Sequence, residues 1–247
     1  MSNDSKIDIM RSEDLIGMEG RIVDNQRHRH HALQVVWAVE GEAMVEWSQG
    51  QKMASILLID SHEPHALELN QGLVCLIEAQ SRMAQALRSR WLNDQTVASA
   101  PLSVISPIAL HNMEPLLQQL VAESTDEDQQ AKRELDPRVS CVLQWLDEME
   151  AHRRWNEVSL QKALQKVHLS QSRFLHLFSQ ELGTPWRSYL IWRRALVAVT
   201  IASAGLPLTR AAHEAGYSDS AHLSRQFKDL FGYSPSRAIE FSKFIQV

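Results

Sequence analysis

The stretch AAHEAGYSDSAHLSRQFKDLFGYSP, residues 211–235, decides the fold of the C-terminal part of the chain. Its first helix is expected to end at Gly216, because glycine readily adopts the left-handed conformation found at helix C-termini. Ser218 is placed to cap the next helix, and Gly232 to end it. A short helix, a tight turn and a capped second helix predict a helix-turn-helix unit over residues 207–231.

An earlier stretch follows the same pattern. Apolar residues in 160–167 recur on one helical face, Ser170 is placed to cap the following helix, and Gly183 is placed to end it. These features predict a first helix-turn-helix unit over about residues 159–180. Residues 186–204, between the two units, are predicted to form one long helix.

The charge of the chain is divided unevenly. The 247 residues carry a net charge of −5, but residues 1–137 hold 11 Lys and Arg against 21 Asp and Glu, a net −10. Residues 138–247 hold 14 against 9, a net +5. This asymmetry indicates an acidic module joined to one that binds a polyanion. The positive charge is modest, so binding should depend on well-placed contacts rather than on bulk charge.

Helix-turn-helix geometry exposes the N-terminal half of the second helix of each unit, which enters the DNA major groove. The exposed positions are predicted to be Gln171, Ser172, Arg173, Leu175 and His176 in the first unit, and Asp219, Ser220, Ala221, His222, Ser224 and Arg225 in the second. The candidates for phosphate contacts are Lys162, Lys166, Arg187, Arg193, Arg210, Lys228 and Arg237. Exposed cations are commonly only solvated, and Asp219 and Glu214 repel phosphate. Two matched units in a basic region nevertheless favour DNA binding.

Residues 138–240 resemble the DNA-binding domain of the AraC/XylS family of bacterial transcription regulators. The second unit matches at Ala212, Gly216, Tyr217, Phe227, Lys228, Phe231, Gly232 and Pro235, and the first at Leu160, Ala163, Leu169, Ser170, Phe178, Gly183, Tyr189, Leu190, Arg194 and Ala198. The resemblance implies base contacts by Ser172, Leu175, His176, Ser220, Ala221, Ser224 and Arg225. Further DNA contacts are expected from Gln171, Arg173, Arg193, His222 and Lys228. Leu175 departs from the polar residue common at its position, so the first unit is expected to read bases more weakly or to contact a thymine methyl.

The N-terminal part of the chain is predicted to be all-β. Runs rich in β-forming residues occur at 32–39, 43–47, 55–59, 66–69 and 73–79, with turn signals between them, including one at 70–72. Closely spaced short strands predict an antiparallel sandwich or small barrel. Residues 81–137 are predicted to be a helical and linker region that is a candidate for dimerisation, with helices at 81–92 and 113–123, a loop at 93–107 and an acidic link at 124–130.

Three histidines accompany these strands. His28 and His30 precede the first strong strand, and His65 follows the run at 55–59. With Gln34 and Gly41 they resemble the motif of cupin barrels, in which a glutamate is usual at the position of Gln34. Regulators of the AraC/XylS family often carry a cupin-like sensor, so residues 1–80 are expected to be a cupin-like effector domain.

Two interpretations of the histidines stay open. His28, His30 and His65 could line an effector pocket with Gln34, Trp37 and Trp47, or they could hold a divalent metal, because histidines two apart on a strand point to one face. We favour the pocket without metal, since a sensor needs binding and pockets commonly use a few polar groups. No cofactor is required in that interpretation.

The combined interpretation is a two-domain, sequence-specific DNA-binding transcription regulator, with an all-β cupin-like barrel followed by an all-α domain at 138–240. Its expected partners are double-stranded DNA, an unidentified small-molecule effector, RNA polymerase and a second copy of the chain. The alternative is a metal-dependent cupin enzyme or a metal sensor that uses His28, His30 and His65.

Other sequence features bear on the class of protein. Cys75 and Cys141 are interpreted as buried thiols, and no Ser-His-Asp pattern, phosphate loop or reactive-cysteine context is evident, so we expect no enzymatic activity. The polar N-terminus and the absence of a long apolar run predict a cytoplasmic protein with no membrane partner.

Overall fold

The computed structural model describes residues 7–12, 15–22, 25–101, 117, 119–121, 135–240 and 242–244. The chain divides into two compact units, one formed by residues 1–132 with residues 228–247 and the other by residues 133–227. The predicted acidic link at 124–130 lies outside the described residues, as does most of the predicted helix at 113–123, of which Leu117 and residues 119–121 are described and helical. None of the helices in the described ranges is long and apolar enough to cross a membrane.

The first unit contains an antiparallel β-barrel. Its described strands are β1 (Ile7–Ser12), β2 (Leu15–Ile22), β3 (Leu33–Ala38), β4 (Ala43–Trp47), β5 (Gly50–Ala54), β6 (Ile56–Ile59), β7 (His65–Ile77), β8 (Val97–Ser99) and β9 (Ser242–Phe244). The strand order is β8-β6-β3-β7-β2-β1-β9, and β4 pairs with both β5 and β7. The pairing of β1 with β9 is parallel, and the other described pairings are antiparallel. This architecture confirms the predicted N-terminal barrel.

Strand β7 corrects one sequence prediction. Residues 66–69 and 73–79 were expected to be two strands around a turn at 70–72, but the chain continues through this segment as one strand of 13 residues. Its first part pairs with β4 and its later part with β2 and β3. The presence of Gly72 reflects packing rather than a turn, because the backbone carbonyl of Trp37 occupies the place where a side chain would begin.

Strand β3 is buried on both faces. Leu33, Val35 and Trp37 face one side, where they join a hydrophobic cluster with helix α1 (Arg82–Leu87). Because side chains alternate along a strand, Gln34 faces the other side, which is the interior of the barrel. Gln34 is therefore a buried polar residue in an otherwise apolar strand.

The C-terminal region is helical, as predicted. Its helices are α2 (Pro137–Ala151), α3 (Leu160–Val167), α4 (Gln171–Leu182), α5 (Trp186–Ser203), α6 (Leu208–Glu214), α7 (Ser220–Phe231) and α8 (Pro235–Glu240). Helices α3 and α4 form the first helix-turn-helix unit, and α6 and α7 form the second, with α5 between them in sequence. The predicted fold of two such units joined by a long helix is confirmed.

Local hydrogen bonds explain where several helices begin. Pro137 is the first residue of α2, and the Asp136 carboxylate accepts a bond from the backbone N–H of Arg138. Ser159 caps α3 by accepting from the backbone N–H of Lys162 at 3.3 Å. In the second unit the cap is Asp219 rather than the predicted Ser218, because the Asp219 carboxylate accepts from the His222 N–H at 2.7 Å.

The two cysteines differ in environment. Cys75 is buried, and burial raises the pKa of its thiol. Cys141 is exposed, which corrects the expectation that both are buried. The helical period explains the difference, because Val139 and Val142 share the buried face of α2 and Cys141 lies off that face.

We predict that Gly72→Ala destabilises the barrel by about 2 kcal/mol or more, because the new Cβ overlaps the Trp37 carbonyl in a sheet packed on both faces. Gly41→Ala is the matched control, since nothing lies within 4 Å of its Cβ position. Its φ of +71° should limit the loss to about 1 kcal/mol. Urea denaturation of both variants provides the measurement, and equal losses would contradict the prediction.

Candidate DNA-binding surface and histidine cluster

Helix α4 is held by the apolar side chains of its inner face. Phe174, Phe178 and Leu182 recur every four residues and are buried. The Phe178 ring packs against Trp186 and Tyr189 at centroid distances of 5.0 and 5.4 Å. This packing fixes the orientation of α4 and leaves its outer face toward solvent.

Helix α7 is held in the same way. Leu223, Phe227 and Phe231 are buried at four-residue steps. At its N-terminus, hydrogen bonds from the His222 N–H and the Ser218 hydroxyl lower the pKa of Asp219, so this carboxylate is ionised at neutral pH. Asp219 was expected to repel phosphate, and the structure shows that the same charge stabilises the positive end of the helix.

The predicted base-contacting residues lie on the outer faces of these two helices. Ser172, His176, Ala221 and Arg225 are exposed, and Leu175, Ser220 and Ser224 are half-buried. The Ser224 hydroxyl donates to the Ser220 carbonyl at 2.8 Å, which leaves its oxygen able to accept a bond from a base. Hydroxyl, imidazole and guanidinium groups can each read base edges in a major groove.

The flanking residues predicted to contact DNA are mostly accessible. Gln171, Arg173 and Lys228 are exposed, and His222 is half-buried. Two of the phosphate candidates lie in surface ion pairs, Lys162 with Glu157 at 3.0 Å and Arg210 with Glu214 at 3.1 Å. Such exposed pairs are weak, so they leave both cations able to contact phosphate.

Arg193 is the exception and corrects the prediction. Its side chain is only 7% exposed, and its guanidinium binds Asp147 at 2.7 Å and Glu150 at 2.8 Å. It also donates to the Tyr189 hydroxyl at 3.1 Å. Arg193 therefore joins α5 to α2 within the compact unit formed by residues 133–227, and its side chain does not face DNA.

The predicted histidines come together inside the barrel. His28, His30 and His65 are buried, and their candidate ligand nitrogens all lie within 4.8 Å of one another. The loop that carries His28 is fixed to β7 by two backbone hydrogen bonds between His28 and His65, each 2.9 Å long. Gln34 reaches the cluster from β3, with its Oε1 atom 2.8 Å from Nε2 of His30 and 3.1 Å from Nε2 of His65.

These imidazoles are held neutral. Burial, followed by the nearby His65, lowers the pKa of His28 to about 3. Burial is also the largest cause of the lowered pKa values of His30 and His65. Neutral imidazole presents one nitrogen with a free lone pair, which is the form that can act as a hydrogen-bond acceptor or metal ligand.

The other predicted pocket residues are placed differently. Trp37 faces the hydrophobic cluster beside α1, away from Gln34. Trp47 is half-buried and pairs with His65 in the register of β4 and β7. Phe231 and Tyr233, which the sequence did not indicate, line the cavity beside the histidines. No local pattern could have found them, because they lie far from the histidines in sequence.

A second cluster of polar side chains, in the compact unit that contains the barrel, was also not predicted from the sequence. The Arg88 guanidinium binds the Asp60 carboxylate at 2.6 Å and the Ser61 hydroxyl at 3.0 Å. Asp60 and Arg88 border an open cavity of about 490 Å³ that also contacts Asn93 and Thr96. The cavity beside the histidines has a volume of only about 10 Å³. An organic molecule fits the first cavity by size but not the second.

Comparison with known proteins identifies the helical region. A family model described as a helix-turn-helix domain matches residues 163–240. The arabinose operon regulatory protein of Escherichia coli K12 is 23% identical over 181 residues, which cover 72% of this chain and 52% of that protein. The arabinose operon regulatory protein of Salmonella typhimurium is 30% identical over 106 residues, 41% of this chain and 36% of that protein. The chain thus spans about half or less of the length of these relatives. The predicted resemblance to AraC/XylS regulators is confirmed.

A solved structure shows the same fold over most of the chain. ToxT from Vibrio cholerae superimposes with a TM-score of 0.56 at 10% sequence identity, covering 93% of this chain and 99% of that one. At this identity the similarity concerns the fold alone.

We predict that Arg193→Ala destabilises the compact unit of residues 133–227 by about 3 kcal/mol. The substitution removes the buried cation that pairs with Glu150, a side chain that is only 17% exposed. Arg187→Ala on the same helix is the control. Arg187 is exposed, so its loss should change stability by less than about 0.5 kcal/mol. Chemical denaturation compares the two variants. A loss for Arg193→Ala no larger than that for Arg187→Ala would show that the ion pairs are not structural.

Proposed function

We propose that this protein is a sequence-specific DNA-binding transcription regulator. The observation that carries the proposal is the pair of helix-turn-helix units. In each unit the second helix is held by its buried apolar face, and its outer face presents residues that can read bases. The family match over residues 163–240 and the similarity to arabinose operon regulatory proteins support it. In this function α4 and α7 enter successive major-groove segments, roughly 34 Å apart along the DNA.

The two units are proposed to read DNA unequally. In the second, Arg225 donates two hydrogen bonds to a guanine, and Ser220 and Ser224 contact neighbouring base edges. In the first, the half-buried Leu175 contacts a thymine methyl, and Ser172 and His176 supply the polar contacts. Arg173, Arg187 and Lys228 are exposed cations proposed to neutralise phosphates.

The barrel is proposed to be the sensor of the regulator. Its interior holds a buried polar cluster in apolar surroundings, an arrangement that selects a ligand rather than only filling a core. Ligand binding would shift the equilibrium between forms of the protein with different affinity for DNA. We propose that the protein acts by binding and not by catalysis, in the cytoplasm, with RNA polymerase and a second copy of the chain as further partners.

A binding assay on the DNA upstream of the protein's own gene tests the proposed function. Fluorescence anisotropy at several salt concentrations should give specific binding at least about 1,000-fold tighter than binding to unrelated DNA. The logarithm of the affinity should fall linearly with the logarithm of the salt concentration. Equal affinity for all sequences, or an affinity independent of salt, would refute the proposal.

We predict that Arg225→Ala weakens binding to the specific site by about 10- to 100-fold and relaxes the preference at one base pair, because it removes a bidentate base contact. Lys228→Ala is the matched control on the same helix. It should weaken specific and unrelated DNA about equally and reduce the salt slope by about one. Anisotropy measurements with both variants separate the two roles, and unchanged specific affinity in Arg225→Ala would exclude the base contact.

A further inference from the structure

We propose that Trp155 is a positioning residue for DNA recognition. It belongs to residues 153–158, here called the bridge segment, which hold the two helix-turn-helix units at one fixed separation and rotation. The inference rests on the regulator function proposed above and deepens it. If α4 and α7 are held in a fixed arrangement, the spacing between the two DNA segments that they contact becomes part of the sequence preference.

The bridge segment leaves α2 in a defined direction. Arg153 has a φ of +53°, and its N–H donates to the Glu150 carbonyl at 2.9 Å. The Arg154 N–H donates to the Met149 carbonyl at 2.7 Å. These two bonds form the Schellman motif, which ends a helix with its last carbonyls satisfied. The backbone that leads to Trp155 is therefore held by hydrogen bonds.

The bridge segment is joined to the first helix-turn-helix unit through the chain itself. Its 3₁₀ turn, Trp155–Glu157, ends two residues before Ser159, the cap of α3. The Glu157 carboxylate also accepts a bond from the ammonium of Lys162, on α3, at 3.0 Å. Since only Val158 separates the turn from the cap, the turn moves with α3.

The bridge segment also contacts the second helix-turn-helix unit. A Cβ at Gly216 would lie 3.2 Å from the carbonyl oxygen of Trp155, so the two backbones are in contact. Gly216, with a φ of +81°, lies in the turn between α6 and α7, and α7 begins at Ser220. Nearby, Nη1 of Arg153 lies 3.7 Å from Oε2 of Glu214. One short segment thus contacts both units.

The Trp155 side chain packs beside α5. It is fully buried, and the guanidinium carbon of Arg193 lies 5.8 Å from the centroid of its ring. Arg194, the next residue of α5, donates to the Val158 carbonyl at 3.4 Å. Within the described part of the chain the indole N–H of Trp155 has no hydrogen-bond partner, so packing holds the ring. Truncation of the ring would loosen the bridge segment from α5.

Two connections therefore join the helix-turn-helix units. One is α5, a helix of 18 residues that follows the first unit and precedes the second. The other is the bridge segment. A helix alone would allow the units to bend and twist at its ends, whereas a second contact through another segment resists both motions. Units that are already ordered lose less conformational freedom when they bind DNA.

A fixed arrangement makes DNA binding sensitive to spacing. One extra base pair between the two contacted segments moves the second by about 3.4 Å along the DNA and rotates it by about 34°. Units held in one arrangement cannot both follow such a change, but loosely joined units can. We expect one inserted base pair to weaken binding of the unaltered protein by about 100-fold or more, called here the insertion penalty.

Fluorescence anisotropy with labelled duplexes tests the role of Trp155. One duplex carries the specific site found upstream of the gene, and another carries one base pair inserted between the footprints of the two units. Trp155→Ala should weaken binding to the first duplex by about tenfold and reduce the insertion penalty to about tenfold or less. Binding to a duplex with only the footprint of the second unit should not change. An undiminished insertion penalty in folded Trp155→Ala would overturn the proposal.

Trp145→Ala is the matched control. Trp145 is also a buried tryptophan of the compact unit of residues 133–227, but the ammonium of Lys166, on α3, lies 6.0 Å from its ring centroid. Its loss should destabilise the protein and leave the insertion penalty at its full value. If Trp155 only stabilised the fold, the two variants would show the same insertion penalty, and that result would also overturn the proposal.

A second pair of variants keeps the test decisive if Trp155→Ala does not fold. Gly216→Ala places a Cβ 3.2 Å from the Trp155 carbonyl oxygen, which forces the two backbones apart by a few tenths of an ångström. It should reduce the insertion penalty by about threefold or more. Gly205→Ala is its control, because Gly205 also has a positive φ, +96°, but nothing lies within 4 Å of its Cβ position. Equal insertion penalties in the two folded variants would overturn the proposal.

Hydrogen–deuterium exchange tests the connection without DNA. Trp155→Ala should speed exchange in peptides covering residues 208–220 by about tenfold or more, and Trp145→Ala should not. Exchange that is unchanged in Trp155→Ala would show that the bridge segment does not hold the second helix-turn-helix unit.

The two kinds of measurement separate this inference from the proposed function. Faster exchange in Trp155→Ala, without specific DNA binding by the unaltered protein, would refute the proposed function and support the connection between the units. Specific DNA binding with an insertion penalty that Trp155→Ala does not reduce would overturn the role of Trp155 in spacing and leave the proposed function intact.

Discussion

The packing of strand β3 on both faces is the constraint on which the barrel depends. Alternation along the strand sends Trp37 toward the helix and Gln34 toward the histidines. A shift of one residue in register would exchange these faces, burying an amide among apolar side chains and a large ring in a cavity of about 10 Å³. The close approach of Gly72 to the Trp37 backbone holds β7 against β3 in the same register. One strand thus fixes the hydrophobic cluster and the polar site together.

Much of this fold could be predicted from local sequence. The strong β-formers of β3 and β6 and the capped helices of the C-terminal region carry their signals within a few residues. Strands β1, β2, β5, β8 and β9 were not predicted, and β8 lies within the segment 93–107 that was predicted to be a loop. The sequences LIGMEGRI of β2 and GQKMA of β5 lack the enrichment in β-branched and aromatic residues that marks strands. The strand conformation of β2 comes from pairing with β7, which is distant in sequence, and that of β5 comes from pairing with its hairpin neighbour β4.

The candidate sites show the same limit. Histidines two apart suggested a cluster, and the third joined it through the cupin-like pattern, but Phe231 and Tyr233 meet the cluster only in the fold. Arg193 illustrates the opposite error. A helical pattern shows on which face a cation lies, but not that Asp147 and Glu150 on another helix meet it there. A basic residue on a predicted DNA-binding domain can therefore be a structural residue.

The parallel pairing of β9 with β1 has a consequence for the behaviour of the chain in solution. A strand at the edge of a sheet offers unpaired N–H and C=O groups to any other extended chain. Ser242–Phe244 pairs with Ile7–Ile9 on the side of β1 opposite β2, so this part of the edge is paired within the molecule. By pairing with β1, these three residues leave less of that edge open to pairing with another chain. A shortened chain that ends before Ser242 would expose that edge even if both helix-turn-helix units remained intact.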